Sequence, residues 1–447
     1  MRHFTSYAVL SCMLVLAPAC QEDPPAPEPP DLTPYEGLVI NEISAHDEIV
    51  DMGSWVELLN TGDRPVSLEG LGLYITDTYF HDRKIYEGKG TLGAGDRLIV
   101  DTDDESLTTG IASNEQFVLR LGLDDGTVDS FDRAARCEAT LTQRGTYQRI
   151  PDGGSEWKVL PYDSRERANE VFDYKAVPRT AIWVWSSHIP SWVANDNKVM
   201  KELYDLGYRH ILLNYAAFHP NNKKTTLAFI KDAEKMGWIV HAWIQCFYNG
   251  GWENPVDDEN NCYKEATFER IRTNARSYIE EFGVKGLHLD YIRFGGTAYK
   301  HNPSSQVTAA GAVDKCCREI REVADSFDAG IVTSAALMPE INSTEYYGQR
   351  PSTMGKYIHI LMPMIYRYSY GYSDASCVKV ANWFADNAAD AEMWSGIQTY
   401  TGGDSNVKPM DAAGIRKDID LFMTTHGKGI VLFRYGLGTF PDVNDIK

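Results

Sequence analysis

Two acids in this chain each close an apolar run. Asp290 ends the run GLHLD, and Glu340 ends GIVTSAALMPE. If both runs are strands, the carboxylates sit at neighbouring strand ends. That arrangement suits cleavage of a glycosidic bond, in which one acid protonates the leaving oxygen while the other attacks or activates water. Either of the two can be the proton donor. The ends of six further runs carry Trp185, Ser186 and His188; Asn214 and Tyr215; Trp243 and Gln245; Tyr366 and Arg367; Gln398 and Tyr400; Arg434 and Tyr435. Sugars present apolar ring faces and hydroxyl edges, so flat aromatics beside amides, carboxylates and guanidinium groups suit them. Asp290 and Glu340 are therefore the expected catalytic pair. Trp185, Asn214, Trp243, Gln245, His288, Tyr366, Gln398 and Arg434 are the expected substrate contacts. Four of these have a plainer alternative. Asp290 can pair with Arg293, Glu340 can be a loop acid or one that positions a ligand, His288 can be a satisfied core histidine, and Arg434 can neutralise the central acids.

Residues 179–447 must position these groups. Eight apolar runs, RTAIWVWSS, HILLNYA, IVHAWIQCF, GLHLDYIRF, GIVTSAALMPE, HILMPMIYRY, EMWSGIQTY and GIVLFRYGL, alternate with segments of helical periodicity, several of which end in Gly. Eight strand-helix units in this length predict a (β/α)8 TIM barrel, whose active sites lie at the C-terminal strand ends. An open doubly wound sheet is the alternative, but no Gly-rich phosphate loop follows the first run. In the fourth run, alternation turns Leu287 and Leu289 toward the helices and His288 and Asp290 into the lumen.

Residues 37–160 have a different rhythm. Short alternating runs (LVINEIS, WVELLN, VSLEGLGLYI, DRLIVD, QFVLRLG, TVDSFD) are broken by turn signals such as NTGDRP and LGAGD, which predicts an all-β sandwich. Trp55 and Trp157 are expected in its core, and the acidic run DTDDES in a solvated loop. INEI (40–43), WVELLN (55–60), VSLEGLGL (66–73), LGAGDRLIV (92–100) and RIPDGGSEW (149–157) resemble the lamin-tail domain, an immunoglobulin-like module. The resemblance implies an accessory or binding role. A polar linker, 161–178, is expected between the two parts.

Residues 1–20, MRHFTSYAVLSCMLVLAPAC, have a basic start, a short apolar run and small residues before Cys20, the layout of a secretory signal. The segment resembles a lipoprotein signal, although Ala17 stands where Leu is usual and Pro18 follows it. The resemblance implies lipidation at Cys20, with simple secretion as the alternative. Residues 21–36 are rich in Pro and acids and read as an extended spacer. In an oxidising compartment Cys246 and Cys262 are the expected pair. The loop YNGGWENPVDDENNC either walls the cleft or binds calcium, but it lacks the spacing of a known calcium loop. No metal or cofactor is expected.

GLHLDYIRF, LMPMIYRYSYG and GIQTY are similar to a family of glycosyl-hydrolase barrels whose fourth strand reads approximately FDYIRFP and whose sixth reads PMIY or PMVY. The likeness implies a barrel, a catalytic Asp290 and a carbohydrate substrate. Gly295 stands where that family typically has Pro. A formal net charge of −20 argues against a nucleic-acid partner, which needs clustered Lys and Arg. The expectation is a secreted or envelope-anchored hydrolase of a polysaccharide, held to a membrane if Cys20 is lipidated. The alternative is a non-hydrolytic carbohydrate-binding or adhesin lipoprotein. A deacetylase has no support, for want of a His pair with an Asp at ligand spacing.

Overall fold

A computed structural model describes residues 31, 33–46, 53–123, 135–402 and 406–447. Residues 1–20 with Cys20, most of the 21–36 spacer, and the run TVDSFD (127–132) lie outside the described residues. Residues 180–433 form a closed parallel barrel of eight strands, β1 (Thr180–Val184), β2 (His210–Leu213), β3 (Ile239–Gln245), β4 (Gly286–Asp290), β5 (Val332–Leu337), β6 (Ile360–Pro363), β7 (Glu392–Gln398) and β8 (Gly429–Phe433). All eight expected runs are strands, and they close in sequence order. The principal helices are α1 (Lys198–Asp205), α2 (Lys223–Met236), α3 (Glu265–Phe282), α4 (Ala309–Asp325), α5 (Asp374–Asp386) and α6 (Ala412–Met423). Gly237 and Gly283 end α2 and α3 in the left-handed region, with φ +91° and +65°, where a side chain would be strained.

Strand alternation sorts the apolar residues into two cores. Leu287, Leu289, Ile182, Val240 and Leu361 pack outward against the helices. Trp183, Trp243, Val332, Met362, Trp394 and Val431 fill the lumen. His241 also occupies the lumen, lying across Gly286 so closely that a Cβ there would come within 2.4 Å of its ring. His210 Nδ1 and His241 Nε2 are 3.0 Å apart. Burial holds both imidazoles below their ordinary pKa, that of His241 at about 3, so this plug carries no charge at neutral pH.

Two antiparallel sheets precede the barrel. One has five strands, in spatial order 157–160, 146–149, 38–44, 55–60 and 97–101; the other has four, in the order 83–87, 71–76, 117–123 and 135–137. Their apolar faces share one core that includes Ile40, Ile43, Val56, Leu58, Leu73, Ile75, Leu119 and Leu121. Trp55 is buried, whereas Trp157 is half-buried and stacks on Tyr147 with ring centroids 4.3 Å apart.

Residues 161–178 differ from the expected linker. Ser164 and Asn169 are buried because Ser164 satisfies an acid of the first sheet and the Asn169 amide donates to the Asn41 carbonyl at 2.9 Å. The Ser164 N–H and hydroxyl donate to the two carboxylate oxygens of Glu42 at 2.9 and 2.8 Å, and the Glu166 N–H donates to Glu57 at 3.0 Å. Burial, reinforced by the nearby Asp163 charge, pushes the Glu42 pKa up to about 8. On the barrel side, the buried Arg144 guanidinium donates to Asp163 at 2.9 Å and to Glu234 of α2 at 2.6 Å, and the Tyr162 hydroxyl donates to the Ala329 carbonyl at 2.8 Å. The segment is a hydrogen-bonded strap between the sheets and the barrel.

The expected Cys246–Cys262 pair is also corrected, since both are free thiols. Cys246 is buried at the end of β3 facing Cys316 and Cys317 of α4, whereas Cys262 is exposed on a short hairpin.

Two stability predictions follow from the strap. A carboxyl whose folded pKa is raised contributes stability at low pH that is lost as pH rises through the folded value. The thermal midpoint of the wild type should therefore fall between about pH 5 and 8 by more than that of Glu42→Gln, read by calorimetry. Arg144→Met leaves Glu234 buried without its guanidinium and should destabilise the protein by about 3 kcal/mol in urea melts.

Candidate active site at the C-terminal strand ends

β4 delivers His288 and Asp290 to the lumen at different depths. His288 is fully buried. The Trp183 indole can only donate, so His288 Nε2 accepts from it at 3.0 Å, which leaves Nδ1–H to donate to Ser334 Oγ at 2.9 Å. Burial holds its pKa well below the ordinary value. His288 is thus a satisfied neutral group in the floor and not the substrate contact expected for it.

One register step above, Asp290 pairs with Gln245 across β3 and β4 and is partly open. Tyr291 follows at φ +51°, a left-handed turn that is strained for a side-chain-bearing residue. The turn brings the Tyr291 N–H 2.7 Å from Asp290 Oδ1. Desolvation is the larger influence and raises the Asp290 pKa to about 6, against the opposing pulls of that N–H, of Arg293 and of the Trp243 side chain. The Trp243 indole N–H leans toward the carboxylate without closing a hydrogen bond of normal geometry.

The remaining expected contacts divide into two groups. Trp185 and Trp243 lie with ring centroids 6.1 Å apart, and Arg434 stacks on Trp185 at 5.1 Å. Asn214 uses its carbonyl oxygen to accept from Ser186 and from the Ala216 N–H. Among the described residues, the Nδ2 of Asn214 and the indole nitrogens of Trp185 and Trp243 are buried donors without partners. Buried donors are nearly always paired, so three orphans at the C-terminal ends of the adjacent strands β1, β2 and β3 suit a ligand that brings acceptors. Tyr366 stacks on Phe433 at 5.1 Å and lies within the field of the Asp290 charge. Gln398, by contrast, is committed to the protein. Its carbonyl accepts from the N–H groups of Tyr368 and Ser369 at 3.1 Å each, and its amide donates to Ser369 Oγ at 3.0 Å, so it fixes the turn after β6. That is a correction to its expected role as a substrate contact.

Glu340 opens into a crevice of about 560 Å³ lined by Pro339, Ile341, Asn342, Tyr346, Tyr347 and Tyr372, which Asp290 does not line. One carboxylate oxygen accepts from the Tyr347 hydroxyl at 3.4 Å, and the other is buried without a partner among the described residues. Arg293 stands beside this crevice, its guanidinium 5.4 Å from the Tyr347 ring centre. Tyr248 and Tyr291, whose rings lie 4.9 Å apart beside Asp290, are not among the expected substrate contacts. The signal was present in the DYIR piece, where a tyrosine follows the acid directly. Among the described residues, no three His, Cys, Asp or Glu side chains converge as metal ligands.

No family model and no curated protein matches the chain. Solved structures similar to this chain include the following three. The PgaB (BpsB) glycoside hydrolase domain from Bordetella bronchiseptica is 11% identical with a TM-score of 0.43, over 57% of this chain and 94% of that one. A chitinase from Rhizomucor miehei is 14% identical with a TM-score of 0.40, over 58% and 95%. The Bacillus megaterium spore cortex-lytic enzyme SleL is 14% identical with a TM-score of 0.43, over 60% and 72%. Likenesses this low concern the fold alone and carry no argument about residues or substrate.

Because the native Asp290 pKa is raised, ionising its carboxyl weakens the fold as pH rises through about 6. Asp290→Asn should therefore melt at a higher temperature than the wild type at pH 7.5, and the difference should vanish toward pH 4. A variant that melts lower at pH 7.5 would contradict this reading of the carboxyl.

Proposed function

We propose that the chain is a secreted or surface-anchored glycoside hydrolase acting on a polysaccharide, with Asp290 as the group that moves the proton. The observation that carries this reading is a desolvated carboxyl, poised near pKa 6 at the barrel mouth, with unpartnered donors at the neighbouring strand ends. A protonated Asp290 can give its proton to the glycosidic oxygen as the bond breaks. The resulting carboxylate can then take a proton from the incoming water. The indole and amide donors would hold sugar oxygens, and Tyr366 and Arg434 would line the ring. Glu340, at the end of the next strand, supplies the second carboxylate if its side chain turns from its crevice toward the scissile bond. The two antiparallel sheets fit an immunoglobulin-like lamin-tail module in an accessory role, and the composition of residues 1–20 supports export, with a lipid on Cys20.

The second reading is a glycan-binding protein that does not cleave. It is favoured by one observation, that Glu340 lies in a crevice Asp290 does not line.

A screen of the full chain against plant, fungal and bacterial cell-wall polysaccharides separates the two. The hydrolase reading predicts reducing-end release that falls at least 100-fold in Asp290→Asn, with kcat/KM declining as pH rises through about 6. Glycan binding without release, or release unchanged by Asp290→Asn, would sink it. In Glu340→Gln, a comparable loss assigns Glu340 as the partner of Asp290, and retained turnover assigns it to ligand positioning.

A further inference from the structure

Trp252 is 45% exposed, unusual for so large an apolar side chain, and the loop that carries it is tightly held. The Asn249 N–H donates to the Gly251 carbonyl at 2.9 Å and the Glu253 N–H to the Phe247 carbonyl at 3.0 Å. Arg270 of α3 ties the base of the loop together, donating to the Cys246 carbonyl at 2.6 Å and to the Glu253 carboxylate at 2.7 Å. The indole therefore stays exposed at little further conformational cost on binding.

The indole is also built in from below. A Cβ on Gly295 would stand 3.0 Å from two ring carbons of Trp252, so the ring lies against bare backbone there. The Arg293 guanidinium stacks on the indole 4.5 Å from the ring centre, and the rings of Tyr248 and Tyr291 flank it at 5.6 Å. Gly295 is the position at which the fourth-strand motif departs from the Pro of the resembled family. The glycine leaves the space in which this tryptophan lies.

We infer that Trp252, seated on Gly295, is a stacking platform for a sugar ring of the substrate chain other than the units joined at the cleaved bond. The inference rests on the carbohydrate reading of the barrel mouth. A rigid, flat, half-exposed indole matches the apolar face of a pyranose. Tyr291 directly follows Asp290 and touches Tyr248 and Trp252, so the aromatic surface is continuous from the carboxyl outward. On this inference an occupant that uses both ends is an oligosaccharide or polymer, and a disaccharide at Asp290 leaves the platform empty.

The test uses the full chain and its Trp252→Ala, Trp252→Phe and Gly295→Ala variants. The probes are long soluble oligosaccharides of β-1,4-linked glucose, xylose and N-acetylglucosamine and of α-1,4-linked glucose, each compared with its disaccharide by calorimetry and tryptophan fluorescence. At least one long oligosaccharide should bind about tenfold more weakly to Trp252→Ala, with a smaller change for its disaccharide. Trp252→Phe should recover part of the loss, and Gly295→Ala, which displaces the ring, should reproduce part of it. Equal binding of every long oligosaccharide to the wild type and Trp252→Ala, or no binding at all, would overturn the inference. Hydrolysis that needs Asp290 but ignores Trp252 would overturn the platform alone. Trp252-dependent binding with no hydrolysis would overturn the hydrolase reading and leave the platform standing.

Discussion

A closed barrel of eight strands has to fill its lumen with alternate side chains, and every polar group placed there has to find a partner away from water. The rest of this structure depends on how that constraint is met. At the lower level His241 lies over Gly286 and meets His210. At the next level the Trp183 indole, the His288 imidazole and the Ser334 hydroxyl form one chain of hydrogen bonds. Both levels are neutral, and the ring nitrogens of His288 are fully paired, whereas His210 Nε2 is buried without a partner among the described residues. Asp290, one step higher on the same face of β4, is the first titratable acid there. Its level also holds Gln245, and the neighbouring strand ends carry donors that no group among the described residues takes up.

This arrangement separates support from chemistry within a few residues of one strand. Desolvation by the aromatic wall raises the Asp290 pKa, while the strained Tyr291 turn supplies an N–H that limits the rise. The balance leaves a carboxyl able to exist in both forms near mildly acidic pH, as proton transfer requires. Outside the lumen, the same Tyr291 begins the aromatic surface that reaches Trp252. The strap over 161–178 is remote from this chemistry. It fixes the antiparallel sheets to the barrel through hydrogen bonds of Asp163 and Tyr162, with Arg144 bridging to Glu234.

The barrel was legible in the sequence because its strands are continuous apolar runs separated by helices with a clear period. The lumen direction of Asp290 followed from alternation alone. What failed to show were partners distant in sequence. Nothing near His288 announces that Trp183, 105 residues away, donates to it, or that Ser334 takes its other nitrogen. Gln398 reads as a free amide until the turn at Tyr368 and Ser369 claims it. Glu340 comes three residues after β5 ends at Leu337 and follows Pro339, so its direction is set by turn geometry and not by alternation. The strap looked like a linker because polar residues on an irregular segment suggest solvent, whereas here Ser164 serves the buried acid Glu42 and Asn169 the Asn41 carbonyl, both far back in the chain. Cys246 and Cys262 are close in sequence, but they are separated by the step from a buried strand end to an exposed hairpin.

The central claim is that desolvation at the barrel mouth makes Asp290 a proton-exchanging group. Its most direct test is a carboxyl titration by carbon-13 NMR of aspartate-labelled protein, with the Asp290 resonance assigned by its disappearance in Asp290→Asn. The account predicts a carboxyl titrating at about 6, above the ordinary aspartate range and missing from the variant. An Asp290 resonance that titrates within the ordinary aspartate range would contradict it.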